Sequence, residues 1–562
     1  MTSRPKEGKP LVTIGAMLDR SAEYRPDRIA LRARRGDRYY EMTYQALKEN
    51  AHLLALELRG LGLKKGDRVG LIGENRPEWA VAYFAIQKAN LVGVPLDPQL
   101  KENEIRHILN ESGARAVIAA GSFVHMLSEI KEGLPNLRHI ISMENLEAVL
   151  RTKVPKSFEI KEESSIDDLA LLIYTSGTTG SSKGVMLSHR NIISNVDSIY
   201  RFIEVNEYDN FLSVLPLHHT FEATCGFLVP IYNNATITYA PSLKSKEIIE
   251  TMRETSVTCL LGVPLLFEKF YDGIQRNIKK SPVHKRLFFK IMYRVSSRIQ
   301  PLAGLIFKGL KERLGMGKIR YIISGGAPLP VKISSFFNGL GIPLLQGYGL
   351  TEASPVLTVN PPDRPRNASV GIAIPDVRIA IDQPNEDGIG EVIATGPNIM
   401  LGYYRNQQAT NEVLREGWLY TGDLGYLDKD GYLYIVGRKK SVIVTAGGKN
   451  VYPEEIEEIL LRSPYIKETI VLPRLNPKTN QEEVYAIIHP DYERIDELAT
   501  NAKRNFTEAD IEQLIRCEIN KQCDSIAEYK RVRSFKIREE EFPKTTTKKI
   551  KRHLFEKEIV QV

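Results

Sequence analysis

Apolar and polar residues follow two different periods along the N-terminal part of the chain. Short apolar runs at 67–72, 91–96 and 114–119 have the length of buried strands. Between them, segments such as 77–86 carry apolar residues at helical spacing, and a proline stands at the start of this one. Strands and helices that alternate in this way indicate a parallel sheet covered by helices.

The pattern changes near residue 437. The segment 453–460 has the pattern of a helix, and short apolar strands are predicted at 469–472 and 484–488. This mixture is typical of a small α+β domain. We therefore predict an α/β protein, with a large N-terminal domain of layered sheets and covering helices and a small C-terminal α+β domain. The predicted N-terminal domain, hinge and C-terminal domain are residues 1–437, 438–442 and 443–562.

Composition and charge narrow the class of protein. Of the 562 residues, 42% are hydrophobic and 26% charged, which is typical of soluble globular chains. The four cysteines form no CxxC pair, so a reducing, cytoplasmic location is expected rather than a disulfide framework or a zinc site. The N-terminus lacks the apolar core of a signal peptide, and no apolar run approaches the ~20 residues that span a bilayer. The net charge of +8 permits anionic ligands or a membrane surface, and no nucleic-acid partner is expected.

The stretch from Tyr174 to Gly184 has the composition of a loop that binds oxyanions. Its backbone N–H groups and hydroxyls can donate to phosphate oxygens, and Lys183 adds a positive charge. It is not the common P-loop, because Gly184 follows the lysine where Ser or Thr should hold Mg²⁺. A plain surface loop of this composition is the alternative. The candidate phosphate-binding residues are Thr175, Ser176, Gly177, Thr178, Thr179, Gly180 and Lys183.

Two glycine-rich motifs follow apolar runs that are predicted to be strands. In the first, the flat backbone of Gly325, Gly326 and Ala327 can lie along the face of an adenine. In the second, Tyr348 can stack on a base, and Glu352 supplies a hard oxygen ligand for Mg²⁺. The strand before this second motif is predicted at 342–345. The residues of the second motif are Gln346, Gly347, Tyr348, Gly349, Leu350, Thr351 and Glu352.

Two further candidates carry a weaker signal. A histidine pair, His218 and His219, lies in the segment 215–222, but no carboxylate or cysteine cluster accompanies it at metal spacing. A plain core or surface pair is therefore favoured over a metal role. Asp423 lies before an alternating strand pattern and can accept two vicinal ribose hydroxyls, although an aspartate in a turn is the ordinary alternative.

The segment 273–320 is strongly basic, with thirteen Lys or Arg residues and one acidic residue. Within it, the helix predicted at 285–300 has one apolar stripe and one basic face. Such a helix either lies on an anionic membrane surface or packs its stripe on the domain, and packing is favoured. The stripe is Leu287, Phe288, Ile291, Met292, Val295 and Ile299, and the basic face is Lys285, Arg286, Lys290, Arg294 and Arg298.

Five motifs between residues 174 and 552 stand in the order of one superfamily. The loop 174–184 and the heptad 346–352 resemble those of the adenylate-forming enzymes, which include acyl-CoA synthetases, firefly luciferase and peptide-synthetase adenylation domains. The chain looks most like the long-chain fatty acid CoA ligases. This resemblance implies that ATP and Mg²⁺ convert a fatty acid, of medium to long chain, to acyl-AMP, and that coenzyme A then takes the acyl group.

The resemblance also implies a role for each matching residue. It places Thr175 with Glu352 on Mg²⁺, and His219 and Thr351 at the reacting carboxylate and phosphates. Lys549 matches the catalytic lysine of the family, although Lys548 stands where the family usually has glycine. The small domain of the family is mobile and turns between the two half-reactions. The remaining matches are Asp423 and Arg438 on ribose, Lys440 at the hinge, and Gly447 and Gly448 at the coenzyme A tunnel.

Three alternatives stay open at this stage. A fatty acyl-AMP ligase passes its acyl group to a carrier protein, but such enzymes carry an insertion that is absent near the hinge. A ligase for an aromatic or short-chain acid shares the same motifs. An inactive lipid-binding scaffold is expected to have lost phosphate-loop or metal residues, whereas Lys183, Glu352, Asp423 and Lys549 are all present.

Overall fold

The computed structural model describes most of the chain as two compact units. The described residues up to Ile379, together with Ala394–Leu419, make the first unit. Ala380–Ile393 and the described residues from Tyr420 onward make the second. The predicted α/β class is confirmed. The described residues are 8–146, 164–175, 182–297, 299–444, 449–475, 482–502, 504–524, 526–544 and 550–555.

A nine-stranded sheet forms one layer of the first unit. Its inner strands run parallel, and antiparallel strands close both edges. From edge to edge the strands are Ile372–Ala373, Val356–Val359, Leu344–Gly349, Tyr321–Ser324, Cys259–Gly262, Asn210–Ser213, Thr236–Tyr239, Ile29–Arg35 and Arg38–Thr43.

A seven-stranded sheet contains the parallel strands predicted from the first apolar runs. Five neighbouring strands run parallel, and Lys183–Ser188 and Gly402–Tyr403 add antiparallel strands at one edge. The order is Gly402–Tyr403, Lys183–Ser188, Leu169–Thr175, Val92–Leu96, Arg68–Ile72, Ala116–Ala119 and His139–Ser142. The predicted parallel sheet is therefore confirmed.

The helix Pro77–Lys88 contacts strands of both sheets. Proline fixes its first turn, and nearly all of its side chains are buried, so it is apolar on every side. Trp79 and Tyr83 stack at 5.4 Å, and both meet the ring of Phe227 edge to face. Such aromatic clusters bury large apolar areas in defined geometries and so hold the layers in register.

The other helices of the first unit cover these sheets. The helix His189–Phe202 begins directly after a strand, where Ser188 accepts from the backbone N–H of Asn191 and closes a capping box. The remaining helices are Ile14–Tyr24, Tyr44–Gly60, Glu102–Ser112, Gly121–Ile130, Val229–Tyr232, Ser245–Glu254, Pro264–Lys280, Val283–Ser296, Gln300–Ile306, Lys308–Arg313, Val331–Gly339 and Gln407–Val413.

The C-terminal part mixes short sheets and helices, as predicted from its pattern. A three-stranded sheet, Ile466–Leu475, Glu482–Pro490 and Ser534–Ile537, packs on the helix Pro453–Leu460, whose bounds agree with the prediction. The other helices are Tyr492–Ala502 and Glu508–Cys523. A five-stranded sheet holds Arg378–Asp382, Gly390–Thr395, Trp418–Leu427, Leu414–Arg415 and Leu433–Arg438, and Ile443–Val444 pairs with Asn450–Val451.

The packing predicted for the basic helix is wrong for most of its apolar stripe, although Met292 of that stripe does pack on the core. Leu287, Phe288 and Ile291 were expected to pack on the domain, yet all three are exposed. The helix Val283–Ser296 instead packs through Phe289 and Tyr293, which lie on its opposite side. The sequence offers two apolar faces and only one can meet the core. The aromatic face does so because its rings find aromatic partners in Phe307 and Phe336.

No helix in the described part of the chain combines the length and the apolar character that crossing a membrane requires.

Candidate active site

The two ends of the predicted phosphate loop lie side by side. Thr175 ends the strand Leu169–Thr175, Lys183 begins the next strand, and the two residues are opposite partners in an antiparallel pair. The two described residues that border the predicted loop are therefore neighbours across the sheet. The predicted loop residues Ser176, Gly177, Thr178, Thr179 and Gly180 lie outside the described residues.

One tyrosine connects this loop to the predicted metal ligand. The hydroxyl of Tyr403 donates to Oε1 of Glu352 at 2.8 Å. The ammonium of Lys183 lies 5.0 Å from the centre of the same ring, which is within the range of a cation–π interaction. Thus the structure brings Lys183 and Glu352 to one ring, although they are far apart in sequence.

Backbone pairing places Tyr403. The strand Gly402–Tyr403 adds to the edge of the seven-stranded sheet, with Tyr403 opposite Val185. The backbone N–H of Met400 donates to the carbonyl of Glu352 at 2.8 Å. Burial, and then the charge of Glu352, raise the pKa of Tyr403 well above its usual value. Tyr403 therefore stays protonated and remains a donor across the physiological range.

The oxygen atoms predicted to bind the metal, at Glu352 and Thr175, are of the kind that suits a magnesium ion. Mg²⁺ prefers oxygen ligands and usually takes one or two from the protein, with the rest from phosphates and water. Tyr403 engages one carboxylate oxygen of Glu352, and among the described residues no hydrogen bond reaches the other. With the hydroxyl of Thr175 as the second predicted ligand, the residues present fit the ion.

The histidine motif, residues 215–222, lies against both glycine-rich motifs. The hydroxyl of Thr220 is 3.4 Å from that of Thr351, next to Glu352. A Cβ added at Gly325 would lie 3.0 Å from the ring of Phe221. Glycine at this position thus permits the close approach of the predicted adenine turn to the histidine motif. Three motifs that were identified separately in the sequence therefore meet in one region of the first unit.

His218 and His219 lie beside a carboxylate that the sequence did not suggest. Their rings are 4.2 Å apart, and Nε2 of His218 is 3.6 Å from Oδ2 of Asp97. Burial, with a smaller contribution from His219, holds the pKa of His218 well below its usual value. His218 is therefore neutral near pH 7, and its distance from Asp97 is too long for a hydrogen bond. His219, the predicted carboxylate-binding residue, is less buried than His218.

The second glycine-rich motif continues a strand instead of following one. The strand was predicted at 342–345, but it runs from Leu344 to Gly349. A Cβ at Gly349 would lie 1.8 Å from the carbonyl oxygen of Pro355, so no side chain fits there. The side-chain amide of Gln346 donates to the carbonyl of Asn367 at 2.6 Å. These contacts give packing reasons for the residue types at Gln346 and Gly349. Gly347 and Tyr348 are only partly buried.

Glu222 anchors the histidine motif through a buried network. The hydroxyl of Ser213 donates to Oε1 of Glu222 at 2.6 Å. The side-chain amide of Asn75 donates to Ser213 and to the carbonyl of Leu215, and its oxygen accepts from the N–H of Leu217. Burial raises the pKa of Glu222 to about 8, so the carboxyl is mostly protonated at neutral pH.

We expect Glu222→Gln to flatten the pH dependence of stability. In the wild type the folded state holds a proton between pH 4.5 and about 8 that the unfolded state releases. The stabilising contribution of Glu222 is therefore fully present below the pKa that the group has in the unfolded chain. As the pH rises from 4.5 to about 8, the free energy of unfolding falls by up to about 1.4 kcal/mol per pH unit. Melting temperatures across this range measure the slope. Glu247→Gln, at a partly exposed position, should keep the wild-type slope, and an unchanged slope in Glu222→Gln would contradict the prediction.

The predicted ribose ligands lie in the second unit and pair with each other. Asp423 and Arg438 are opposite partners in an antiparallel pair, and Nε of Arg438 is 2.8 Å from Oδ1 of Asp423. The carboxylate is buried, whereas about half of the arginine side chain is exposed. Lys440 follows in a short, exposed 3₁₀ turn. The hinge and the ribose role stay predictions, and Gly447 and Gly448 lie outside the described residues.

In the C-terminal motif, the described residues on either side of 545–549 pair with each other. Lys544 bridges Ile550, and the N–H of Lys551 donates to the carbonyl of Pro543 at 2.9 Å. Arg552 pairs with the partly buried Glu457 and donates to the carbonyl of Val471 at 3.1 Å. The predicted catalytic Lys549 lies outside the described residues, in the segment 545–549.

Sequence reasoning missed Tyr403, Phe221 and Asp97. Phe221 stood inside the histidine motif without an assigned role. Tyr403 and Asp97 carry no local signal, because their importance depends on strands that pair only in the folded chain.

The Tyr403 contact leads to a specific kinetic expectation. Tyr403→Phe keeps the ring beside Lys183 and removes only the donor to Glu352, so formation of the product AMP should fall roughly 10-fold. The Mg²⁺ concentration for half-maximal rate should shift, because the carboxylate loses the contact that orients it. Tyr404→Phe is the matched control. A Tyr403→Phe enzyme with unchanged rate and Mg²⁺ dependence would show that the contact is only structural.

Comparison with known proteins agrees with the motifs. Residues 18–404 match the family described as AMP-binding enzyme. The chain is 30% identical over 473 residues to a long-chain-fatty-acid–CoA ligase of Salmonella typhimurium, covering 76% of this chain and 77% of that protein. ATP-bound MatB from Rhodopseudomonas palustris has a TM-score of 0.76 at 25% identity, covering 97% and 99% of the two chains. The anthranilate CoA ligase AuaEII with anthranoyl-AMP has the same fold, with a TM-score of 0.77 at 23% identity over 98% of both chains. The chain therefore belongs to the AMP-binding enzymes, the adenylate-forming family that its motifs indicate.

Proposed function

We propose that this protein is an AMP-forming acyl-CoA synthetase for fatty acids of medium to long chain. The carboxylate of the fatty acid attacks the α-phosphorus of ATP, a P–O bond to pyrophosphate breaks, and acyl-AMP forms. The thiol of coenzyme A then attacks the acyl carbon, AMP leaves, and the thiol proton passes to water. ATP, Mg²⁺ and coenzyme A are the co-substrates and cofactor that this reaction needs.

The contact chain Lys183–Tyr403–Glu352 is the observation that carries the proposal. A carboxylate attacking a triphosphate brings anionic groups together, so catalysis needs fixed positive charge and precise placement. Lys183 supplies charge at the mouth of the loop, and Glu352 offers an oxygen to Mg²⁺. When bound, Mg²⁺ neutralises phosphate charge. Tyr403 holds both residues to one position, so they act on the same phosphate group.

The length of the acyl group rests on sequence similarity. The 30% identity to the long-chain-fatty-acid–CoA ligase of Salmonella typhimurium supports a long-chain acid as the substrate. The anthranilate CoA ligase has the same fold with an aromatic acid, which keeps an aromatic or short-chain substrate as the second candidate. The fold is common to both groups, and acid choice depends on the residues that line the pocket.

A panel of acids tests the proposal. Purified protein is incubated with ATP, Mg²⁺ and acids from acetate to stearate, plus benzoate and anthranilate, with and without coenzyme A. We expect AMP release with fatty acids that requires coenzyme A. Stalled acyl-AMP without transfer would indicate a ligase for a carrier protein. Preference for benzoate or anthranilate would contradict the fatty-acid assignment, and no turnover with any acid would contradict the enzyme assignment.

A further inference from the structure

The helix Val283–Ser296 is fixed to the protein along one side. The ring of Phe289 lies 5.3 Å from that of Phe307 and stacks with Tyr293 at 6.1 Å. The hydroxyl of Tyr293 donates to the carbonyl of Ser335 at 3.1 Å, and that of Ser296 donates to the carbonyl of Gly339 at 2.6 Å. Because Phe289, Tyr293 and Ser296 recur at helical spacing, they set the rotation of the helix about its axis.

The opposite side is apolar and faces solvent. Val283, Leu287, Phe288 and Ile291 are 69%, 58%, 64% and 50% exposed. We call these four residues the outer apolar face. Single exposed apolar residues are ordinary, but four large ones on two or three turns of one helix form a patch of the kind that marks an interaction site. Among the described residues, none of these four side chains belongs to a hydrophobic cluster or packs against one.

A row of cations borders this face. Arg286, Lys290 and Arg294 recur every fourth residue, so they lie in one row along the helix. Among the described residues, none of these three side chains has an acidic partner within 4.0 Å. The surrounding segment 273–320 has a single acidic residue, Glu312. We call the three residues the basic row. It presents charge that the described part of the protein does not neutralise.

We propose that the outer apolar face and the basic row together dock the protein on an anionic lipid bilayer. The helix lies in the interface, with Leu287, Phe288 and Ile291 among the acyl chains. The basic row contacts lipid phosphates, because long basic side chains can extend along apolar surface and keep their charges at the headgroups. The sequence indicated only that a basic face could contact an anionic membrane surface. The structure adds exposed apolar side chains that can insert into the bilayer.

The charge pattern favours a bilayer over a second copy of the chain. A two-fold dimer places the same patch against itself, so basic rows would meet with little acidic charge to separate them. An anionic bilayer instead offers both a negative surface and an apolar interior. The proposed function gives this docking a use, because fatty acids partition into bilayers and an enzyme at the surface meets its substrate there. Only this use rests on the proposed function; the docking itself does not.

Vesicle co-sedimentation of the full chain, without ATP or coenzyme A, tests the docking. We expect binding to phosphatidylglycerol-containing vesicles at low salt. At high salt the binding should weaken but persist, because screening acts on the basic row and not on apolar insertion. Vesicles of pure phosphatidylcholine should bind less. Absence of binding to anionic vesicles at low salt would overturn the proposal.

Two sets of substitutions separate the contributions. The triple variant Leu287→Ser, Phe288→Ser, Ile291→Ser should weaken binding by about tenfold or more and remove its salt-resistant part. Its melting temperature should stay near that of the wild type, because these side chains are already exposed. The triple reversal Arg286→Glu, Lys290→Glu, Arg294→Glu should abolish binding to anionic vesicles. Its charge-matched control, Arg38→Glu, Lys244→Glu, Lys246→Glu, reverses exposed cations on other elements and should bind normally.

A fluorescent reporter tests insertion directly. Tryptophan emission of Phe288→Trp should shift to the blue on anionic vesicles and be quenched by brominated acyl chains. Tyr208→Trp, at an exposed position elsewhere in the first unit, should show neither change. Vesicle binding that the triple serine substitution does not weaken, or Phe288→Trp emission that stays unchanged, would overturn the apolar part of the proposal.

Two measurements separate docking on a bilayer from self-association and from catalysis. Sedimentation velocity detects a dimer, and a dimer that the triple serine variant dissolves, without vesicle binding, would assign the patch to self-association and overturn the proposal. Turnover of dissolved octanoate should be the same in all variants. If the wild type bound vesicles but turned over no fatty acid, the docking would stand and the proposed function would fail.

Discussion

Replacing Lys549 by alanine is expected to lower the rate of acyl-AMP formation severely and to leave thioester formation from supplied acyl-AMP largely intact. The lysine should bridge the carboxylate and the α-phosphate as charge develops, and loss of one such charge costs roughly 100- to 1,000-fold in rate. The second half-reaction needs no such bridge, because the anhydride is already formed. Pyrophosphate release measures the first step, and thioester formation from synthetic acyl-AMP measures the second.

Lys548→Ala is the matched control for this prediction. Lys548 is the neighbouring lysine, and the resemblance of the motif assigns it no role, so its loss should affect neither step strongly. Neither variant changes the bridge between Lys544 and Ile550 or the contacts of Arg552. Equal loss of both half-reactions in Lys549→Ala would contradict the assignment. Selective loss in Lys548→Ala would move the catalytic role by one residue.

Glu352→Gln should lower acyl-AMP formation by about 100-fold or more and raise the Mg²⁺ concentration that is needed. Glutamine keeps the shape and can still accept from Tyr403, but it lacks the negative charge that binds the ion. The effect should therefore be much larger than that of Tyr403→Phe. A magnesium titration of pyrophosphate release measures both the rate and the dependence.

The controls for Glu352 separate metal binding from folding. The melting temperature should change little, because the hydrogen bond to Tyr403 can persist in Glu352→Gln. As a control, Glu412→Gln changes an exposed carboxylate that is close to Tyr403 in sequence, and it should leave the magnesium titration unchanged. An enzyme with Glu352→Gln that keeps the wild-type Mg²⁺ dependence would exclude Glu352 as the ligand, whatever its rate.

Much of the secondary structure could be predicted from local patterns. The helix at 453–460 and the parallel strands near 67–72 and 91–96 agree with the structure, because period and end signals are properties of neighbouring residues. The strand Leu344–Gly349 was predicted too short. Glycines lower strand propensity, and only pairing with Val356–Val359 holds them extended.

The residues of the candidate site also fall into two groups: those that motifs in the sequence identify, and those that only the folded chain brings into position. Lys183 and Glu352 could be identified because each stands in a dense motif. Tyr403 could not, because its role depends on a strand pairing between residues more than two hundred positions apart. The buried carboxyl of Glu222 is a similar case, since its raised pKa comes from the packing around it and not from its neighbours in sequence.

The basic helix shows most clearly what each level decides. The sequence by itself determined that the segment is helical and basic and that it carries an apolar stripe, because these are properties of composition and spacing. Only the tertiary structure decided which apolar side meets the core. Phe289 and Tyr293 find aromatic partners there, so the outer apolar face is turned to solvent. The physical reason is that burial depends on the shape of the surface a helix packs against, and that surface is built by residues far away in the chain.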